Sequence, residues 1–181
     1  MHYKQCQQGE DMKLIAQLVG LGAMASLFFI YQQKSRKRML CAKLSADVCW
    51  VIHYLCLGGI AGMIPNAVGI FRELIFINRK DKKWASSILW PVFFILLNWT
   101  LGIRTFHSWY NILPITASTF VTISLWIDNP KLTKIITIPI STAFLIYNAF
   151  ISSYIGIINE VVSIFSIAIY FLNQKETNYE K

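Results

Sequence analysis

The stretch 52–71, IHYLCLGGIAGMIPNAVGIF, returns in outline 94 residues later as 146–165, IYNAFISSYIGIINEVVSIF. Ile52-His53-Tyr54, Gly58, Gly62 and Val68-Gly69-Ile70-Phe71 reappear as Ile146-Tyr147-Asn148, Ser152, Gly156 and Val162-Ser163-Ile164-Phe165. An echo of this kind across long apolar segments is what a membrane protein made of two copies of one bundle leaves in its sequence. A solute site between the copies is the corresponding expectation, and with it a transporter.

The composition points to the same class. Of the 181 residues, 55% are apolar and 14% charged, against about 25% charged in soluble domains. The mean hydropathy is +0.48. The first apolar run, Leu14 to Tyr31, follows Glu10-Asp11 rather than a basic segment and contains no small-residue cleavage site, so a cleaved signal peptide is not expected. The net charge of +8 sits at the ends of apolar runs, a pattern that marks topology rather than a nucleic-acid face. Cysteines at 6, 41, 49 and 56 make no CxxC pair and read as small hydrophobes.

A spanning helix needs roughly 17–25 mostly apolar residues, which places spans near 14–31, 43–58, 60–78, 85–103, 112–127, 132–151 and 153–172. Pro91, Pro114 and Pro139 interrupt three of them and Pro65 lies in a fourth. With the N-terminus outside, Lys34, Arg36, Lys37, Arg38, Lys43, Arg79, Lys80, Lys82, Lys83, Lys131, Lys134, Lys175 and Lys181 face inward, and only Lys4, Lys13 and Arg104 face outward. Thirteen against three predicts N-out and C-in, as the excess of Lys and Arg in short inner loops requires.

The offset of 94 maps spans two and three onto six and seven, and an offset of 97 lays 31–34 on 128–131. The expected fold is therefore an all-α integral membrane protein: seven transmembrane helices as two parallel three-helix repeats joined by a linker helix. Residues 1–12 form an outer segment, 13–78 the first repeat, 79–111 the linker helix with its flanking loops, 112–172 the second repeat and 173–181 a cytoplasmic tail.

Polar side chains at membrane depth are costly and face a bundle interior or a wet cavity. Asn66 and Glu73 share a helix face, and Asn159 and Ser166 repeat their spacing. Asp47, Trp50 and Tyr54 lie in one arc, with Ser141, Phe144 and Asn148 as equivalents. Asn66, Asn159, Trp50, Tyr54, Phe144 and Asn148 are the expected binding residues, amides and rings suited to a small uncharged solute. The same amides could equally be helix-to-helix glue, and Trp50 an interfacial anchor. Glu160, Glu73 and Asp47 are candidates for proton coupling, with a protonated carboxyl hydrogen-bonded between helices as the alternative for Glu160. Arg72 reads as a snorkelling cation, pointing about 100° away from Glu73. His53 reads as a packing residue.

No HExxH, GxSxG or GxxxxGK occurs, so enzyme activity, metal and cofactor are not expected. The expected partners are the lipid bilayer and a small polar solute, with no nucleic acid; a homo-oligomer is left open. A non-transporting membrane scaffold or stress-related protein is the rival reading.

Ile52-His53-Tyr54, Leu57-Gly58, Gly62, Asn66, Gly69 and Arg72 resemble the IHYxxLGxxxGxxxNxxGxxR-like run of the bacterial inner-membrane YgjV family, and Tyr147-Asn148 through Gly156 to Asn159-Glu160 looks like its second half. The resemblance covers about residues 14 to 172 and implies an inner-membrane location. More remotely, the chain is similar to the PQ-loop group, including SWEET and PnuC-type transporters. In SWEET proteins an Asn on the third helix of each triad contacts solute, which implies that role for Asn66 and Asn159. SWEET proteins also carry a proline on the first two helices of each triad. Here Pro114 and Pro139 match, whereas Gln17 and Ser45 stand at the equivalent places in the first triad.

Overall fold

A computed structural model describes residues 2–32, 36–127 and 129–179, with side chains over 10–27, 36–127, 129 and 132–172. Lys34, Asp128 and Lys181 of the topology and repeat readings lie outside the described residues, as do the side chains of Lys4, Cys6, Lys131 and Lys175. The chain is all-helical: α1 (His2–Gln32), α2 (Arg36–Cys56), α3 (Ile60–Ile77), α4 (Leu89–Gly102), α5 (Ile112–Ile127), α6 (Pro130–Phe150) and α7 (Tyr154–Tyr179). Among the described residues, Arg36–Cys56, Ile60–Ile77, Trp109–Ile127, Leu132–Phe150 and Tyr154–Leu172 are long and apolar enough to cross a membrane. The 14 residues of α4 reach only about 21 Å, short of a hydrocarbon core of about 30 Å. The expected span 85–103 shrinks to α4 because Lys83–Ser86 form a 3-10 turn and Ser87 is extended.

The surface carries large apolar side chains, and charged and polar groups are buried beside an apolar core. Leu18 on α1, Phe71 on α3, Leu89 on α4 and Phe165 on α7 are all more than half exposed, while Asp47, His53, Arg72, Glu73 and Asn148 are buried. Lipid solvates the first set, and only other protein groups can solvate the second.

Two of the four prolines do not interrupt their helices as expected. Pro91 and Pro114 are each the third residue of α4 and α5, where the N–H would have no intrahelical partner in any case. Pro65 and Pro139 do lie inside helices. At the two places where the first triad lacks proline, Gln17 Oε1 accepts from the Ile155 N–H at the start of α7, at 3.1 Å. Ser45 bonds the Cys41 carbonyl on its own helix at 3.2 Å.

Helix α2 packs between α1 and α3, and α6 between α5 and α7; α1 meets α7, α3 meets α5, and α4 covers α3 and α5. The two tight hairpins share one local structure. Gly58 has φ 70° and Ser152 has φ 55°. Around them, Gly59 N donates to Tyr54 O at 2.8 Å and Ser153 N to Asn148 O at 2.9 Å; Leu57 N donates to His53 O and Ile151 N to Tyr147 O, both at 3.2 Å. Each pair is 94 residues apart. We call this the turn end; the opposite, basic end carries Arg36–Arg38 and the 79–83 segment.

Gly58 accepts a left-handed backbone at no steric cost, whereas Ser152 does not. Nothing lies within 4 Å of a Cβ built on Gly58, so a substitution there tests the backbone alone. Ser152→Gly is expected to stabilise, and Gly58→Ala to destabilise, by about 1 kcal/mol each, read from thermal unfolding in detergent.

Candidate functional site

Helices α2 and α3 bring four charged residues together in the interior. Lys43 Nζ donates to Asp47 Oδ1 at 2.8 Å, one turn on in α2, and stands 3.6 Å from Glu73 Oε1 of α3. Arg72 Nη2 donates to Glu73 Oε1 at 2.9 Å. Its Nη1 reaches across to α5, donating to Thr122 Oγ1 at 2.8 Å, and the Thr122 hydroxyl in turn donates to the Ser118 carbonyl at 2.8 Å. The Asp47 carboxylate fits because residue 69 is glycine: a Cβ there would lie 2.4 Å from Asp47 Oδ2. Asp47 Oδ2, Arg72 Nε and Glu73 Oε2 are buried with no partner. Beside this cluster is a cavity of about 40 Å³ lined by Lys43, Asp47, Asn66, Arg72, Ser118 and Phe144, among others. That volume holds roughly one to three waters and is well below the roughly 300 Å³ at which small-molecule pockets begin.

Hydrogen bonds between the first and second halves of the chain close both sides of this level. At the basic end, Arg36 Nη2 donates to Leu125 O at 2.8 Å and Arg79 Nη1 to Trp126 O, with the Arg79 guanidinium 3.9 Å over the Trp126 ring. These are the final carbonyls of α5, which its own helix cannot satisfy and which favour a cation. At the turn end, Tyr54 donates to Asn148 Oδ1 at 3.0 Å, and Gly62 N donates to the Tyr147 hydroxyl at 2.9 Å. His53 Nδ1 meets the Ala16 carbonyl at 2.7 Å. A carbonyl can only accept, so Nδ1 carries the proton, and Nε2 faces Ser153 Oγ at 2.7 Å. Helices α1 and α2 and the α6–α7 turn are thereby joined through one imidazole. Close approach depends on small residues, since a Cβ on Gly62 would lie 2.6 Å from the Tyr147 ring and one on Gly156 2.6 Å from the Asn148 amide.

The sequence-predicted residues divide between these levels. Asn66, Phe144 and Asp47 line the cavity. The Asn66 Nδ2 is spent on the Gly62 carbonyl of its own helix at 2.7 Å. Asn159 is buried and donates to Glu160 Oε1 at 2.9 Å. Glu160 also has the Ser141 hydroxyl within hydrogen-bonding reach and lies close enough to Lys43 to feel its charge. Trp50, Tyr54 and Asn148 belong to the turn-end layer, where Trp50 stacks on Tyr54 with ring centres 5.7 Å apart and is 7% exposed. It is therefore no interfacial anchor. The register of the two turns sets Asn66 against Glu160, one residue beyond Asn159.

Three readings are corrected. Lys43 is no loop cation but an ion-paired residue two turns into α2. Arg72 does not snorkel: it is 2% exposed. Adjacency does not separate it from Glu73, because the long arginine stem curls back to its neighbour. Sequence reasoning also missed Thr122, Tyr147 and Ser153. Asn98, whose Nδ2 holds the Ile115 carbonyl at 2.9 Å and so ties α4 to α5, was missed as well.

Removing one partner of a buried ion pair leaves an uncompensated charge. Arg72→Leu is therefore expected to cost about 3–5 kcal/mol, whereas Arg72→Leu with Glu73→Leu keeps the Lys43–Asp47 pair and recovers most of that loss. Thermal unfolding of the single and double variants in detergent checks this.

A search of curated proteins gives no match, and a search of solved structures gives none either. The family model described as bacterial inner membrane protein, YgjV type, matches residues 14–176, nine-tenths of the chain. The buried charges, the lipid-facing apolar exterior and this match agree, and the chain belongs to the YgjV family of bacterial inner membrane proteins.

Proposed function

We propose that this protein moves a small polar solute across the inner membrane by alternating access between two three-helix units, α1–α3 and α5–α7, with α4 as linker, N-terminus outside and C-terminus inside. The observation that carries the proposal is the placement of a cavity with charged side chains in its wall between two layers of hydrogen bonds that join the units. Breaking the turn-end layer, Tyr54–Asn148 and His53–Ser153, opens one side; releasing α5 from Arg36 and Arg79 opens the other.

The parallel repeat draws support from the matched turns at the 94-residue offset and from the packing pairs, since exchanging the units converts the α3–α5 contact into the α7–α1 contact. Under this arrangement the structure corresponds to an occluded state, and the remote SWEET likeness supplies the analogy. Asn66, Asn159, Trp50, Tyr54, Phe144 and Asn148 are the proposed solute-facing set. Asp47, Glu73 and Glu160 are the proposed route for proton coupling.

One observation favours a non-transporting scaffold instead: a cavity of about 40 Å³ holds no solute without rearrangement. Uptake decides between the two. Purified protein in liposomes is expected to accumulate a labelled solute from a panel of sugars, nucleosides and amines. Asn66→Ala with Asn159→Ala is expected to lower that uptake by about tenfold or more, the effect of losing hydrogen bonds to the solute. Unchanged uptake in the double variant removes the proposed site, and no uptake of any panel member favours the scaffold.

A further inference from the structure

Two cations, Lys43 and Arg72, and one carboxylate, Asp47, line the cavity; Glu73 is paired to both cations, and only one of the two is loosely held. Arg72 is fixed, with one Nη on Thr122 and the other on Glu73 and 2% of its surface exposed. Lys43 is the less confined one. Its side chain is 21% exposed, and its ammonium touches Asp47 Oδ1 at 2.8 Å and Glu73 Oε1 only at 3.6 Å. Glu160 lies within range of the same ammonium from the opposite unit.

Within the charged cluster, two carboxylate oxygens, Asp47 Oδ2 and Glu73 Oε2, and one donor, Arg72 Nε, are buried without a partner. Asp47 and the aromatic Phe144 both line the cavity. Carboxylate oxygens beside an aromatic face form the surroundings that an organic ammonium requires: acceptors for its N–H groups and a ring for its charge. A sugar carries no charge, and on withdrawal of Lys43 it would leave the Asp47 and Glu73 carboxylates with Arg72 as their one cation. Withdrawal of the Lys43 side chain would both expose the carboxylates and enlarge the cavity by the volume of a butylammonium.

We infer that the solute is a protonated amine, and that Lys43 is its tethered stand-in, occupying the carboxylates when no solute is bound. The inference rests on the centre being a solute site, as proposed above. Binding then exchanges one ammonium for another, so the buried carboxylates are never left without a cation.

The test is ligand-induced thermal stabilisation of the full-length protein in detergent, using butylammonium, 1,4-diaminobutane, butanol, glucose and uridine as probes. The amines are expected to raise the midpoint and the uncharged probes not to. If Lys43 vacates the site in about one molecule in ten, its removal tightens amine binding about tenfold. Lys43→Ala should show this gain, and its loss of stability should be rescued by butylammonium but not by butanol. Because Lys43→Ala leaves two carboxylates facing Arg72 alone and can fail to fold, Lys43→Ala with Glu73→Gln, which is charge-balanced, is measured beside it and should show the same tightening. Asp47→Asn should abolish the amine response.

Stabilisation by glucose or uridine and not by amines overturns the amine assignment while leaving the solute site standing. An amine response unchanged on removing Lys43 overturns its role as stand-in. No response to any probe, in wild type or variants, overturns the inference together with the reading on which it rests.

Discussion

A charge placed in a bilayer has no water to turn to, and the ion-paired chain from Lys43 through Asp47 and Glu73 to Arg72 and Thr122 is how this protein meets that constraint. The network fixes α2 against α3 and α3 against α5, and it forces residue 69 to be glycine so that a carboxylate can stand against the helix backbone. Helix packing in lipid gains little from the hydrophobic effect, because the tails are as apolar as leucine. Polar bonds and close contacts through small residues therefore specify which helix faces which.

The two halves share their turns but not their charges. At the 94-residue offset, Lys43, Asp47, Arg72 and Glu73 correspond to Thr137, Ser141, Ser166 and Ile167. The ion pairs thus belong to one side of the interior, and the other side supplies hydroxyls, an amide and Glu160. The electrostatic centre is displaced toward α2 and α3, and any solute seated there feels the first half far more than the second.

Much of this was legible in the sequence. Seven helices follow from seven apolar runs, and Asp47, Glu73, Tyr54 and Asn148 stand out because polar groups in such runs must face inward. What was not legible is who meets whom. Lys43 reads as a loop cation because it follows Arg36–Arg38, although its position one turn before Asp47 is the spacing of a helical ion pair. Tyr147 looks like any aromatic in an apolar helix, and only the glycines at 59 and 62 hint that a ring lies against them. Arg72 and Glu73 point apart by helix geometry, and it takes the actual rotamer to reunite them. The effect of the prolines at 91 and 114 depends on helix start positions that hydropathy alone blurs.

The bond between Tyr54 and Asn148 joins two positions that the internal offset itself relates. If an axis relates the halves, that contact lies on it, and a residue on such an axis meets its own counterpart. Two tyrosines or two asparagines would have to face each other in an assembly of identical halves, whereas here a phenol donates to an amide. The junction therefore works only between unlike partners, and carrying both halves on a single polypeptide guarantees that each always finds the other.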